Sequence, residues 1–253
     1  MRETRRSDSP RKQQRGAAPQ RTQRPKFTPD PPNVDRLLGR QPWSKLRDLL
    51  PGDAAGHDEV LARIRAYAKL LLTWNQGVSN LISRNDEIRL VDRHIAESLA
   101  PSRLLAASGF ERFVDFGSGG GLPAIPLSLA GVGSFWTLVE SRRNKTLFLR
   151  KVQQELKLNK MDILTDRLEM LLEKDAQVLE CDGFTSRATA TLAPTLELAG
   201  RIVRKGGKAF LWKGSGHVEE LEADGADWAE TWKLLSVEPI LAGPNVVCVF
   251  ERL

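Results

Sequence analysis

The chain has 253 residues, of which 41% are hydrophobic and 28% charged, and its formal net charge is +6, so it is long enough to bury a full core. No run approaches the roughly 20 apolar residues of a membrane span, and no signal-peptide core is present, which predicts a cytoplasmic chain without a membrane role. Two cysteines and three histidines stand too far apart for metal-ligand spacing, which excludes metal chemistry and predicts Cys181 and Cys248 as small buried hydrophobes.

Residues 1–30 hold nine Lys or Arg against three acids, so this segment carries the whole excess of +6 and residues 31–253 are formally neutral. Few aliphatics and several Gln and Pro predict a disordered basic tail there, attracted to polyphosphate. Trp43 to Leu50 predicts a short helix that Pro51-Gly52 breaks. From Asp58 the apolar positions Val60, Leu61, Ile64, Tyr67, Leu70, Leu71 and Trp74 recur at three and four, the pattern of a helix with one dry face. A second helix is predicted from near Asp86, with Ile88, Val91, Ile95, Leu99 and Leu104 inward and a kink around Pro101. Together these give an N-terminal helical cap over 31–108.

Over 109–253 the pattern alternates. Strands are predicted near 112–116, 135–140, 161–165, 182–187, 207–213, 231–237 and 246–251. Helices are predicted near 122–130, 143–158, 167–173, 191–204 and 217–223. Successive βα units imply an α/β, Rossmann-like domain with a mostly parallel seven-stranded sheet. Between the last two strands stand only Glu238-Pro239 and Gly243-Pro244-Asn245, turn residues that predict an antiparallel edge hairpin.

The first strand runs into FVDFGSGGGLPAIP, where Gly117, Gly119 and Gly121 precede a helical pattern. A strand that turns sharply into a helix with its backbone against a ligand leaves no room for Cβ atoms and calls for positive φ. The second strand ends in Glu140, nineteen positions past Gly121, where a carboxylate can accept hydrogen bonds from ribose hydroxyls. A dinucleotide fingerprint is G-x-G-x-x-G, built to face a pyrophosphate. The G-x-G-x-G spacing with Leu122-Pro123 behind it suits S-adenosylmethionine better, with NAD as the runner-up.

The strings VDFGSGGGLPAIPLSLA, LVESRRNKTLFLRKVQQELKLN, TDRLE, FTSRATATL and GGKAFLWKG, with WNQGVSNLISRND and DRHIAESLAPSRLL upstream, resemble the RsmG (GidB) family of 16S ribosomal RNA guanine-N7 methyltransferases. The resemblance covers about residues 60 to 215 in collinear order and leaves residues 1–55 outside. It implies a class I S-adenosylmethionine-dependent methyltransferase fold, cofactor contacts at Gly117, Leu122, Leu168, Glu169 and Arg187, and Glu140 at the ribose. Two departures stand out: Glu97 precedes Ser98 where the family has Asp, and Asn144-Lys145 replaces a basic pair.

The chemistry implied is modest. Guanine N7 carries an in-plane lone pair and no proton, so no general base is required, and catalysis rests on alignment, with Arg187 as the positioning candidate. N7 lies in the deep groove of A-form RNA, so the target must be in a loop or flipped out. Arg93, His94, Arg142, Arg143 and Lys213 are the candidates to hold RNA, either 16S ribosomal RNA or an assembling small subunit, and the chain is expected to be a monomer. The alternative from another class is a non-catalytic ribosome-associated RNA-binding protein with a methyltransferase-like fold. A nicotinamide-dinucleotide reductase is disfavoured by the glycine spacing and the edge hairpin.

Overall fold

The computed structural model describes residues 33–223 and 228–253; the predicted basic tail over 1–30 lies outside the described residues. Helices α1 (Val34–Gly39), α2 (His57–Gly77), α3 (Ala96–Leu99) and α4 (Ser102–Ala107) come first. Then follow β1 (Arg112–Phe116), α5 (Ala124–Leu129), β2 (Phe135–Val139), α6 (Arg143–Glu155), β3 (Met161–Leu164), α7 (Leu168–Asp175), β4 (Cys181–Arg187) and α8 (Leu192–Gly200). β5 (Val203–Lys213), α9 (His217–Ala223), β6 (Trp232–Pro239) and β7 (Val246–Arg252) complete the order.

Among the described residues one sheet of seven strands forms, in the order β3-β2-β1-β4-β5-β7-β6. The first five strands pair in parallel, and β7 runs antiparallel to both β5 and β6, so the expected mixed sheet with an edge hairpin is present. Strand order reverses at β1, which lies between β2 and β4. The connections leaving β1 and β4 therefore depart to opposite faces and open a crevice at the carboxyl ends of those strands.

Each face of the sheet has its own core. On one side Phe113, Trp136, Leu138, Phe210 and Val249 pack under α2, α3, α5 and α6 with Tyr67, Leu71, Ile95 and Phe148. On the other, Val114, Val139, Phe184, Leu211 and Cys248 pack under α7 and α8 with Leu168, Leu192 and Leu196. Strand residues alternate between the two sets because side chains leave a strand on opposite faces. Both cysteines are buried and free, and burial pushes their thiols up, to about 12 for Cys181 and about 11 for Cys248. Phe113 stacks on Trp136 with centroids 4.7 Å apart, and Gly183 on the neighbouring strand leaves the room: a Cβ there would stand 2.3 Å from Phe113 Cε1.

Two predicted elements differ. The second helix is not one continuous α-helix: a 3₁₀ segment at Arg84–Arg89 passes into a π segment at Leu90–Ile95 and then into α3. Changing pitch rotates the dry face, so Val91, Ile95 and Leu99 are buried as predicted, but Ile88 and Leu104 are exposed while Leu90 and Leu105 take the inward places. The helix predicted to reach 204 stops at Gly200, and β5 begins at Val203. Val203 pairs with Cys181 and Lys208 with Gly183, so the segment between them bulges out past Asp182. Gly206 supplies φ +74° in the bulge, and a Cβ on Gly207 would meet Asp182 O at 2.6 Å.

Candidate functional site

The glycine loop leaves β1 with φ +70° at Gly117, +55° at Gly119 and +84° at Gly121. Gly117 and Ser118 donate their amides to Val139 O at 2.9 and 3.1 Å, which ties the loop to the end of β2. The buried Tyr67 hydroxyl donates to Gly120 O at 2.6 Å, so α2 holds the loop from above. The three glycines serve different ends. A Cβ on Gly117 would stand 2.1 Å from Thr189 Cγ2, and one on Gly121 would stand 2.3 Å from Ile125 Cδ1. A Cβ on Gly119 would meet nothing nearer than Lys145 Nζ at 3.7 Å, and Gly119 lines the cleft.

Glu140, at the end of β2, is buried with both carboxylate oxygens engaged. Oε2 accepts the Gly119 amide at 2.9 Å and Oε1 the Arg142 amide at 2.8 Å. Beneath the loop, Asp115 Oδ1 accepts the Thr185 hydroxyl at 2.6 Å across the β1–β4 pair, and Asp115 Oδ2 is buried with no hydrogen-bond partner. Burial, together with the nearby Glu140 charge, raises the Asp115 carboxyl to about 6 against the pull of the Thr185 hydrogen bond.

A cleft of about 440 Å³ opens over the loop. Gly117 to Gly120 and Leu122 form its base, and Leu81, Ile82, Arg93, His94 and Glu97 form one wall. Arg187, Ala188, Trp212, Lys213, Gly214 and Asn245 form the other, with Lys145 at the rim.

Arg187 ends β4 and crosses the cleft to the leader helices. It donates to Glu97 Oε2 at 2.6 Å, His94 O at 3.1 Å and Ser98 Oγ at 3.2 Å. Both members of the ion pair have side chains only 15% exposed, which makes it a largely desolvated pair rather than a solvated surface one. Glu97 Oε1 also accepts Asn245 Nδ2 at 3.2 Å, and its main-chain carbonyl accepts Trp212 Nε1 at 2.9 Å. His94 lies 3.6 Å from Asp86 Oδ2, yet burial and the Arg187 charge lower its imidazole to about 4, so it is neutral at pH 7.

The other predicted residues divide. Arg93 lines the cleft but pairs with Asp86 at 3.0 Å. Lys213 lines it with its charge already used, donating to Ala190 O at 3.0 Å and Glu220 Oε2 at 2.6 Å, which ties the loop after β4 to α9. Arg142 and Arg143 are exposed at the start of α6 and do not line the cleft. Leu168 is fully buried in the α7–α8 core and Glu169 is exposed, so at Leu168 only main-chain groups are left to face a ligand. Gly121 and Glu140 stand behind the loop rather than on the cleft surface.

Sequence reasoning passed over Thr189, Glu97, Asn245 and Lys145 as site residues, and Trp212 stood out only as one of six tryptophans able to stack on a base. Of those four, only Glu97 and Lys145 carried a signal, as departures within otherwise matching strings. Asn245 read as a turn residue, and its approach to Glu97 depends on β7 being folded against β5.

A family model described as rRNA small subunit methyltransferase G matches residues 60–242. Among curated proteins, ribosomal RNA small subunit methyltransferase G of Azoarcus sp. is 35% identical over 66% of this chain and 76% of its own length. The protein of the same name from Klebsiella pneumoniae is 34% identical over 76% of this chain and 90% of its own length. Among solved structures, a mutant of MtNAS in complex with S-adenosylmethionine is 18% identical with a TM-score of 0.50, covering 87% of this chain and 96% of that one, a likeness of fold.

Proposed function

The chain belongs to the GidB family of rRNA small subunit methyltransferases G, and on that premise we propose that its cleft carries methyl transfer from S-adenosylmethionine to N7 of a guanine in 16S ribosomal RNA. The observation that carries the assignment of the site is the meeting of the glycine loop and Arg187 in one cleft at the switch point of the sheet.

The residues present fit the cofactor. Asp115 keeps an unpaired buried acceptor beneath the loop, Gly119 presents backbone without a Cβ, and the carboxylate of Glu140 lies one hydrogen bond behind it. Leu81, Ile82 and Leu122 offer apolar surface. Gly117, Gly119, Leu122 and Arg187, which line the cleft, are the proposed direct cofactor contacts, and Gly121, Glu140 and the main chain at Leu168-Glu169 are proposed with them as groups off that surface. Bound there, S-adenosylmethionine supplies a methyl group on a positively charged sulfur.

What the protein must do follows from the nucleophile. N7 bears a lone pair and no proton, so no side chain has to act as a base, and the neutral, half-buried His94 is not needed as one. The loop fixed to Val139 and Tyr67 sets one reactant, and Glu97 on one wall with Arg187 and Trp212 on the other sets the second. Arg187 is a positioning residue, since its guanidinium is spent on the His94 carbonyl of the π segment and on Glu97 and Ser98 of α3.

Arg93, His94 and Lys213 are the RNA-facing candidates on the cleft, and Arg142 and Arg143 extend that side toward solvent. Residues 31–108 serve as a cap and 109–253 as the methyltransferase domain, acting as a monomer on 16S RNA or an assembling small subunit in the cytoplasm. Among the described residues no helix is long and apolar enough to cross a membrane.

The test is transfer of labelled methyl from S-adenosylmethionine to small-subunit rRNA from a strain lacking this gene, with the product nucleoside identified by mass. Label in 7-methylguanosine that disappears with Gly119→Trp is the expected result. Unlabelled rRNA and unlabelled assembly particles, with RNA still bound by the folded protein, would overturn it.

A further inference from the structure

We propose that Glu97 reads the target base, accepting hydrogen bonds from N1–H and the N2 amino group of guanine while N7 faces the methyl group; this rests on the function proposed above.

The chemistry sets the need. Adenine also carries an N7 lone pair, so the reacting atom does not distinguish the two purines. The opposite edge does: guanine presents two donors there, N1–H and N2–H, whereas adenine presents an acceptor at N1. A site that selects guanine needs a pair of adjacent acceptors aimed into the cleft. Among the described residues that line it, Glu97 is the only carboxylate. The other charged side chains on that surface, Arg93, Lys145, Arg187 and Lys213, are cations and offer donors only.

Glu97 is built for the task. A carboxylate has about four lone-pair sites. Arg187 uses one on Oε2, Asn245 uses one on Oε1, and each oxygen keeps a further acceptor direction. The two bonds come from β4 and from the turn before β7, so the carboxylate is held from two directions while its main chain is fixed by Trp212 Nε1. Beside Arg187 the carboxylate lies in a partly desolvated place, where a mismatched purine would set its N1 lone pair against the carboxylate oxygens.

The experiment compares small-subunit rRNA carrying guanosine or inosine at the mapped nucleotide. Inosine keeps N7 and N1–H and lacks only the N2 amino group. Wild type should methylate the inosine RNA with kcat/KM lower by about 10- to 100-fold, the loss of one hydrogen bond to a charged acceptor. Glu97→Gln, which offers one acceptor oxygen in place of two, should bring the ratio toward one. Where turnover of the variant is too slow to read, filter retention of the two RNAs with S-adenosylhomocysteine present supplies the same ratio. A residue that only held Arg187 in place would lower both rates alike and leave the ratio unchanged, which would overturn the proposal. Equal rates for the two RNAs with wild type would overturn it too, with the function intact. No transfer to either RNA by wild type would overturn the function and this reading together.

Discussion

The carboxylate of Glu140 accepts the backbone amide of Gly119 at 2.9 Å, across the gap between the ends of β2 and β1. The acid expected at the ribose therefore also shapes the loop, because its other oxygen is held by the Arg142 amide at 2.8 Å and cannot swing away. A bond from an amide to an ionised acceptor is stronger than one between neutral groups. On the function proposed above, the loop conformation and the ribose acceptor are then one feature, the lone pairs left on the same two oxygens being the proposed acceptors for hydroxyls.

Glu140→Ala should weaken S-adenosylmethionine binding by about 10- to 100-fold, with Glu140→Gln falling between it and wild type because one acceptor oxygen survives. Titration calorimetry gives the affinities, and amide exchange at Gly119 should quicken in both variants without cofactor. Unchanged affinity together with unchanged exchange would remove both roles at once.

Gly117→Ala places a methyl group 2.1 Å from Thr189 Cγ2 at a φ of +70°, so it meets a clash and a backbone penalty together. We expect destabilisation of roughly 3 kcal/mol, of which about 1–2 kcal/mol is the left-handed conformation itself. Thr189→Ser removes Cγ2 and keeps the hydroxyl that lies 2.5 Å from Ser186 Oγ, so adding it should restore the clash part alone. Gly119→Ala, with open space, should show only the backbone part. Urea unfolding of the four proteins tests this, and failure of Thr189→Ser to recover any stability in the Gly117→Ala background would contradict it.

The sheet was legible because its signals are local. Each strand from Phe113 onward is an apolar run with turn residues after it, and hairpin closure follows from Gly243-Pro244-Asn245. The glycine loop and Glu140 were legible for the same reason, lying within one βαβ unit. What escaped were features set by packing over long sequence distances: Arg187 meets Glu97 ninety positions away, and Thr189 fills the space over Gly117. The inward face of 84–107 was misread at Ile88 and Leu104 because periodicity assumes one pitch, while the chain uses 3₁₀, π and α turns in succession. The helix predicted to 204 and the strand predicted from 207 missed that β5 already starts at Val203, because its pairing with Cys181 is broken by a bulge at Gly206 and Gly207 that a local pattern does not show.

Arg187→Ala should be more harmful to stability than loss of the whole pair. It strands the Glu97 carboxylate in a place only 15% exposed, and removal of one partner from such a pair costs about 3 kcal/mol or more. Glu97→Gln added to it relieves the unpaired charge, so the double variant should be more stable than Arg187→Ala alone, a non-additivity of about 1 kcal/mol or more. Both should lose methyl transfer, since α3 is no longer tied to β4. Strict additivity in denaturant unfolding would mean that the pair is effectively solvated.

The dependence of stability on pH tests the buried groups around the loop by sign. Asp115 moves up from an ordinary 3.8 to about 6, so between those values the folded protein holds a proton that the unfolded chain releases, and stability falls as pH rises through that window. His94 moves down from 6.5 to about 4, so between 6.5 and 4 the unfolded chain takes up a proton that the fold refuses, and stability falls as pH drops. Each effect is worth roughly 3 kcal/mol over its window, at 1.36 kcal/mol per unit, and they oppose one another between about pH 4 and 6. These two groups should therefore nearly cancel in the wild type. Asp115→Asn exposes the histidine slope, with stability climbing steeply from pH 4 to 6.5, whereas His94→Gln exposes the aspartate slope, with stability declining from pH 4 to 6. Asp86 and Asp182, whose carboxyls are lowered despite partial burial by Ser83 and by Arg204 respectively, add a loss only as pH falls below the ordinary carboxylate range. Urea unfolding of the cofactor-free proteins at half-unit steps reads the slopes, and variants that run parallel to wild type across this range would show that neither group is buried as the fold requires.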